Sequence, residues 1–171
     1  MTEYDFTEKV GKYKNMIFRL AMAYLKNVQD SEDITQEVFL KLLKKDMTFP
    51  SEDEEKAWLI RVTINASKDL LKSAWFKKTV SFDKDIPFKD KEESNVFYAV
   101  MDLERKYRYV IHLYYYEGYS VKEISNILKI KESTVQVRLY RARKKLMLKL
   151  DEEFQNGKNK ELKEGVYGTG L

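Results

Sequence analysis

The densest cluster of side chains that could do chemistry is basic and lies between residues 138 and 145. This stretch, RLYRARKK, holds five Arg or Lys in eight positions. Cations at this density neutralise phosphates, and an Arg can also donate two hydrogen bonds to a guanine edge. The stretch therefore predicts a nucleic-acid-binding helix, with a membrane surface or an acidic protein as the alternative ligand.

Residues that could support catalysis or bind a metal are few. The chain has no cysteine and a single histidine, His112, within VIHLYYYEG (110–118). No metal-ligand or nucleophile partner stands at a useful spacing from this histidine. We therefore expect no catalytic residue, no metal site and no cofactor, and an enzyme acting on nucleic acid is a poor alternative.

Charge alternates along the chain, although the net charge is only +4. Residues 30–57 hold nine Asp or Glu against four Lys, whereas residues 61–78 hold five Lys or Arg against one Asp. Residues 122–150 hold nine Lys or Arg against two Glu. The alternation predicts different partners for different segments, with ordinary solvated helix faces as the alternative interpretation.

Three amphipathic helices are predicted in the N-terminal part of the chain. Apolar residues follow a 4,3,4,3,4 spacing over residues 6–24, which is one face of a helix. A second helix follows Asp30 or Ser31, either of which could cap it. A third opens at Ser51, in a capping box with the glutamate three residues later, and runs to about Trp75. The side chains expected to be buried on the second and third helices are Ile34, Val38, Phe39, Leu42, Leu43, Trp58, Val62, Ala66 and Leu70.

Periodicity is lost over residues 77–93 and then returns, which predicts a flexible linker. Further on, a short helix over residues 120–128, opened by a Ser-x-x-Glu capping box, precedes KIKE (129–132) and a longer helix. Ser133 and Gln136 could cap this longer helix. The arrangement is that of a helix-turn-helix. The chain is therefore predicted to be all-α, with two small helical bundles joined by a flexible linker, the second containing the helix-turn-helix.

The longer helix separates into two faces on a helical wheel. The apolar face, expected to be packed, holds Val135, Leu139, Ala142 and Leu146. The opposite face and its flanks hold Thr134, Val137, Arg138, Tyr140, Arg141, Arg143, Lys144 and Lys145. Entry into a DNA major groove requires this partition, because exposed N-terminal turns contact base edges and flanking cations contact phosphates. Arg141 could pair with guanine and Gln136 with adenine.

Residues 103–146, LERKYRYVIHLYYYEGYSVKEISNILKIKESTVQVRLYRARKKL, closely resemble region 4 of short bacterial RNA polymerase sigma factors of the extracytoplasmic-function type. DSEDITQEVFLKLLKK (30–45) resembles the second part of their region 2, and AWLIRVTINASKDLLKSAWFKK (57–78) resembles the helix that follows. The resemblance implies region 2 at 1–76, a linker at 77–94, region 4 at 95–151 and a polar tail at 152–171, which is expected to fray.

The resemblance implies an initiation factor without catalysis of its own. Such a protein binds core RNA polymerase at the β′ clamp helices and the β flap, brings it to promoter DNA and helps to melt the duplex. It would be cytoplasmic and would not insert into a membrane, and an anti-sigma factor is a candidate further partner. The alternative is a stand-alone helix-turn-helix repressor or activator that binds DNA as a dimer.

The family motifs also imply site residues by position. The residues that would bind the polymerase are Asp33, Gln36 and Glu37 of the acidic segment. The loop DMTFPSEDEEKA (46–57) matches the segment that holds a flipped base in relatives. The minus-10 element would be read by Arg61, Asn65, Lys68 and Lys72. The resemblance and the wheel together assign the minus-35 element to Ser133, Thr134, Gln136, Val137, Arg138, Tyr140, Arg141, Lys144 and Lys145.

The predicted linker is long enough for the two bundles to contact two separate DNA elements. About 17 extended residues reach at most ~60 Å, which is roughly 17 base pairs of duplex. One chain could therefore read two promoter elements that are separated by a spacer of this size.

Overall fold

The computed structural model describes residues 1–45, 47–74 and 91–167, which form seven α-helices and no strand. A π-helical turn, His112–Tyr116, continues the fifth helix. The prediction of an all-α fold is confirmed. The helices are α1 (Glu3–Leu25), α2 (Val28–Lys45), α3 (Glu52–Ala74), α4 (Lys91–Met101), α5 (Arg105–Ile111), α6 (Val121–Leu128) and α7 (Glu132–Tyr167).

Helices α1–α3 form the N-terminal bundle, and each presents an apolar stripe to the other two. The predicted stripe of α1 is buried from Tyr13 to Tyr24 and half-buried at Phe6 and Val10. The predicted stripe of α2 is buried, except that Leu43 is 45% exposed.

The predicted stripe of α3 is only partly correct, since Ala66 is buried but Val62 and Leu70 are half-buried. The stripe is centred on Leu59, Ile60 and Ile64, because this helix packs against both α1 and α2. Trp58 is half-buried at the edge of this stripe, where its ring contacts Phe49 at 5.6 Å between centroids.

Helices α4–α7 form the C-terminal bundle, which contains the predicted helix-turn-helix. Ser120 and Glu123 make the expected capping box at the start of α6. The turn after α6 begins at Lys129, whose backbone is left-handed with φ of 55°. The stripe of α7 is buried at Val135 and Leu139 against α5 and α6. The helix-turn-helix prediction is therefore confirmed in its geometry.

Two helices begin earlier than predicted. The side chain of Asn27 accepts a hydrogen bond from the amide of Asp30 (2.7 Å), so α2 begins before both predicted caps, Asp30 and Ser31. The carbonyl of Lys131 accepts hydrogen bonds from two amides in the first turn of α7 (3.0 and 3.1 Å). Ser133 therefore lies inside α7, and its predicted role as a cap is wrong.

The ends of the C-terminal bundle also differ from the prediction. Helix α4 begins at Lys91, inside the predicted linker, whose residues 77–90 lie outside the described residues. Helix α7 continues to Tyr167 through the tail that was expected to fray. Lys, Glu and Leu favour this continuation, and it is maintained although Gly157 and Gly165 disfavour a helix. No helix in the described ranges has the length and hydropathy of a membrane span.

The two bundles pack against each other, which the sequence does not predict. The ring of Tyr24 on α1 stacks on that of Tyr109 on α5, with centroids 4.8 Å apart and planes 8° apart. Buried Arg108 donates hydrogen bonds to the carbonyl of Ala23 on α1 (2.8 Å) and to that of Leu103 (2.7 Å). One continuous apolar core therefore runs from α1 to α7.

Candidate nucleic-acid interface and docking surface

The outer face of α7 is the candidate reading surface. Val135, Leu139 and Ala142 are at most 2% exposed and fix the rotation of the helix. The opposite side chains are therefore directed to solvent, as the helical wheel predicts. The exposed members of the predicted set are Ser133, Gln136, Val137, Tyr140, Arg141, Lys144 and Lys145, while Thr134 and Arg138 are half-buried.

Two large apolar side chains on this face are open to solvent. Val137 is 45% exposed and Tyr140 is 57% exposed, although the opposite face of α7 packs against the core. The ammonium of Lys144 lies 5.3 Å from the centroid of the Tyr140 ring, which keeps a cation beside an aromatic face. Exposed apolar groups next to cations suit contact with thymine methyl groups and phosphates.

The flanking arginines are held by tyrosines of the same bundle. Arg138 donates a hydrogen bond to the hydroxyl of Tyr109 (2.8 Å), and Arg143 donates one to the hydroxyl of Tyr115 (2.6 Å). These contacts limit the rotamers of both arginines, so less entropy is lost when a phosphate binds. Arg143 is absent from the set of expected contacts. Its position on the flank of the wheel is the sequence signal that could have added it.

The flanking Lys145 has an acidic partner. Its ammonium lies 3.3 Å from a carboxylate oxygen of Glu104, which also pairs with Lys106 at 3.0 Å. Hydrogen bonds from Lys106 and Lys145 hold the pKa of Glu104 below its usual value. A phosphate that contacts Lys145 must therefore compete with the Glu104 carboxylate for the ammonium group.

A second row of polar and basic side chains follows the solvent face of α3. Arg61, Asn65, Lys68 and Lys72 are all exposed, and the buried stripe of α3 lies behind them. Lys72 is 4.0 Å from Asp69, and both side chains are mostly exposed, so water screens this pair. The row is aligned as predicted, and its role in reading the minus-10 element remains a prediction.

The loop before α3 borders a cavity of about 450 Å³. Its lining includes Lys9, Tyr13, Phe49, Ser51 and Glu55. Glu55 is buried and pairs with Lys9, and the hydroxyl of Tyr13 lies 3.3 Å from the Glu55 carboxylate. In the segment 46–57 that was expected to be a loop, residues 52–57 belong to α3, and Asp46 lies outside the described residues.

The acidic face of α2 is the candidate docking surface. Asp33, Gln36 and Glu37 are exposed, opposite the buried stripe of this helix. Leu40 and Leu43 on the same face are 52% and 45% exposed. The predicted burial of Leu43 is wrong, and Leu40 lies outside the buried stripe. Apolar side chains surrounded by polar ones are typical of protein interfaces.

The single histidine is a packing residue. His112 is 5% exposed, and its Nε2 lies 3.2 Å from a carboxylate oxygen of Glu117. Burial alone would raise the pKa of Glu117, but hydrogen bonds from His112 and from Lys56 outweigh burial and lower it. Among the described residues no group of acidic or histidine side chains is arranged to hold a metal ion.

Comparison with protein families gives two matches that divide the chain as the structure does. The family described as "Sigma-70 region 2" matches residues 10–77, which cover most of the N-terminal bundle. The family described as "Sigma-70, region 4" matches residues 96–146, which include the whole helix-turn-helix.

Known proteins match along most of the chain. The RNA polymerase sigma factor SigV of Bacillus subtilis is 30% identical over 150 residues, and the match covers 84% of this chain and 90% of SigV. The ECF RNA polymerase sigma factor SigW of the same organism is 27% identical over 165 residues, and the match covers 85% of this chain and 88% of SigW. The sigma factor RpoE of Bartonella quintana, solved with the anti-sigma factor NepR, has a similar fold, with a TM-score of 0.70 at 19% identity. This match covers 86% of the present chain and 97% of RpoE.

Proposed function

The chain belongs to the sigma-70 family as an extracytoplasmic-function sigma factor. We propose which of its surfaces bind promoter DNA, which bind the polymerase, and through which residues. A sigma factor binds core RNA polymerase and directs it to promoters for the initiation of transcription. The alternative of a stand-alone repressor or activator is not favoured, because region 2 and region 4 occur together in one chain.

The outer face of α7 reads the minus-35 element. The observation that supports this assignment best is the exposed row of Gln136, Val137, Tyr140 and Arg141 above a fully buried stripe. A helix presented in this way can enter a major groove without distortion of the bundle. Arg141 then pairs with a guanine, and Val137 contacts a thymine methyl group. Arg138, Lys144 and the other flanking cations neutralise phosphates.

The exposed row of α3 and the loop before it act on the minus-10 element. Unpaired bases must be captured to keep a duplex open, since unpairing costs a few kcal/mol. Arg61, Asn65, Lys68 and Lys72 offer three cations and an amide along one helix side. The cavity beside the loop over residues 47–51 and the first turn of α3 offers an adjacent site for an unstacked base.

The acidic face of α2 docks on the β′ clamp helices of the polymerase. Leu40 and Leu43 supply apolar area, and Asp33, Gln36 and Glu37 supply polar and charged contacts around it. The C-terminal bundle contacts the β flap. The protein acts in the cytoplasm, has no catalytic site of its own, and has an anti-sigma factor as a candidate regulator, since the similar sigma factor RpoE is held by one.

Reconstitution with core polymerase tests these assignments. Promoters are first selected from a random DNA library by the polymerase bound to this chain. Arg141→Ala should then alter the minus-35 preference, and Glu37→Lys should weaken polymerase binding while leaving DNA binding by the C-terminal bundle intact. A chain that selects a palindromic site without polymerase would support the repressor alternative instead.

A further inference from the structure

The π-helical turn that follows α5 carries an exposed tyrosine beside the reading helix. Tyr115 is 54% exposed, and its hydroxyl accepts a hydrogen bond from Nε of Arg143 on α7 (2.6 Å). In the same turn the amide of Glu117 donates to the carbonyl of His112 (3.2 Å), which is the wide bond of a π-helix. Such turns occur frequently at functional sites. Leu113 anchors the turn in the core, so Tyr115 is held at the surface by a fixed backbone.

Two aromatic rings hold the guanidinium of Arg143. Its central carbon lies 5.5 Å from the centroid of the Tyr114 ring and 5.7 Å from that of Tyr115. These cation–π contacts and the hydrogen bond at Nε orient the planar group. Among the described residues, that bond is the only side-chain hydrogen bond of Arg143. It uses one of five N–H donors, so the four donors on the two terminal nitrogens remain for a ligand.

The positive charge of Arg143 is not cancelled by a neighbour in the described part of the chain. Two lysines further along α7 are each paired with a carboxylate, Lys145 with Glu104 at 3.3 Å and Lys149 with Asp102 at 2.8 Å. The partner of Arg143 is a hydroxyl, which orients the cation and leaves its charge intact. An anion is therefore the ligand that this position favours.

The Tyr115 hydroxyl can bind the same anion. While its oxygen accepts the bond from Arg143, the hydroxyl still has its own hydrogen to donate. Hydrogen bonds in a chain polarise one another, so a hydroxyl that accepts from a guanidinium is a stronger donor. A ligand with two or more negatively charged oxygens could accept from the hydroxyl and from the terminal nitrogens together. A backbone phosphate of DNA has this chemistry.

The position of Arg143 on α7 suits contact with one strand of the duplex. Arg143 follows Gln136 by seven positions, so both lie on the same side of the helix, two turns apart. The buried stripe through Leu139 separates this flank from the flank of Arg138. A helix in the major groove lies between two sugar–phosphate backbones. The two flanks of α7 therefore face different strands, and Tyr115 extends the flank that Gln136 shares.

We propose that Tyr115 and Arg143 form a clamp for a single backbone phosphate of promoter DNA, beside the minus-35 element. The inference rests on the proposed reading of this element by α7. It adds a DNA-contacting residue, Tyr115, that lies outside the helix-turn-helix. Because a phosphate carries no base identity, the clamp fixes the register of α7 in the groove and does not select sequence.

The test is equilibrium binding of holoenzyme, made from the full chain and core polymerase, to a selected promoter. Single phosphates around the minus-35 element are replaced in turn, on both strands, by uncharged methylphosphonates. Tyr115→Phe removes the hydroxyl and keeps the ring, and Arg143→Ala removes the guanidinium. Tyr116→Phe is the matched control, because it removes a hydroxyl from the same turn, on a ring that stacks on His112 instead. Circular dichroism shows whether each variant is folded.

Tyr115→Phe should weaken binding of the unmodified promoter about 3- to 10-fold, and Arg143→Ala at least as much, on all sequences alike. Only Arg143→Ala should reduce the salt slope, by about 1, because only this change removes a charge. One methylphosphonate position should weaken wild type and have little further effect on either variant, and this position should be the same for both. Tyr116→Phe should behave as wild type throughout.

Two results would overturn the clamp. One is unchanged affinity in Tyr115→Phe, which would leave Arg143 as a lone cation. The other is the lack of a shared methylphosphonate position, which would show that Tyr115 acts on the fold of the turn and not on a phosphate. Arg141→Ala is measured alongside. If it alters base preference while the clamp variants bind as wild type, the clamp fails and the reading assignment stands. If it leaves base preference unchanged, the reading assignment fails, and the clamp loses its premise.

Discussion

Arg141→Ala is the sharpest test of the proposed reading helix. The guanidinium is exposed on the outer face of α7, and no carboxylate partner is described for it within residues 1–45, 47–74 and 91–167. Truncation therefore leaves no buried charge without its partner. The free energy of unfolding should stay within about 0.5 kcal/mol of wild type. Any loss of promoter binding then reports the contact with DNA.

The expected loss follows from the geometry of the contact. A bidentate pair between an arginine and a guanine contributes about 1–3 kcal/mol of discrimination, which is roughly 5- to 150-fold in affinity. Wild-type holoenzyme should lose this amount when the base pair that Arg141 reads is changed, and the variant should lose nothing further there. Lys144→Ala is the matched control, since it removes a neighbouring cation that is expected to contact a phosphate. It should weaken all sequences alike and reduce the salt slope by about 1.

The assay is equilibrium binding of holoenzyme to a set of promoters with single changes across the minus-35 element, at two or more salt concentrations. The Arg141→Ala profile should become flat at one position and stay unchanged elsewhere. Uniform weakening at every position by both variants would refute the groove assignment. A flat profile at several positions would indicate that the variant has repositioned the whole helix.

Other consequences of the structure are open to direct measurement. Leu40→Ala and Glu37→Lys should each weaken binding to core polymerase by about 1–2 kcal/mol in a competition assay, because both alter the exposed face of α2. Leu139→Ala should lower the free energy of unfolding by about 2–5 kcal/mol in urea titrations, because Leu139 is 2% exposed. Tyr140→Ala, one position on, should stay within about 0.5 kcal/mol. Because the pKa of Glu117 is lowered on folding, its ionised form stabilises the protein above the usual glutamate pKa of about 4.3. That stabilisation is lost as pH falls through the lowered value, so Glu117→Gln should flatten the acid limb of the stability curve.

Features set by local spacing could be predicted from the sequence. The buried stripe of α7 depends on residues three or four positions apart, and Val135, Leu139 and Ala142 are buried as the wheel requires. The capping box of Ser120 with Glu123 depends on neighbours of the same turn. The solvent-facing placement of Gln136 and Arg141 then follows from the stripe, because a helix has only one other side.

Features that depend on distant segments could not be predicted. Arg108 contacts Ala23 across 85 positions, and nothing near Arg108 in the sequence distinguishes it from an exposed basic residue. The start of α2 was missed for a different reason, since Asn27, Asp30 and Ser31 are all acceptable caps. Only the orientation of the chain as it leaves α1 selects the first of them. Leu43 was misplaced because its burial depends on which helices cover α2.

Arg138 of the reading helix contacts a tyrosine that also packs against the N-terminal bundle. Its guanidinium donates to the hydroxyl of Tyr109 at 2.8 Å, and Tyr109 is stacked on Tyr24 of the other bundle. A phosphate forms a stronger, charge-assisted hydrogen bond with the same guanidinium than a tyrosine hydroxyl does. The guanidinium has five N–H donors, so Arg138 can keep its bond to Tyr109 while it contacts a phosphate.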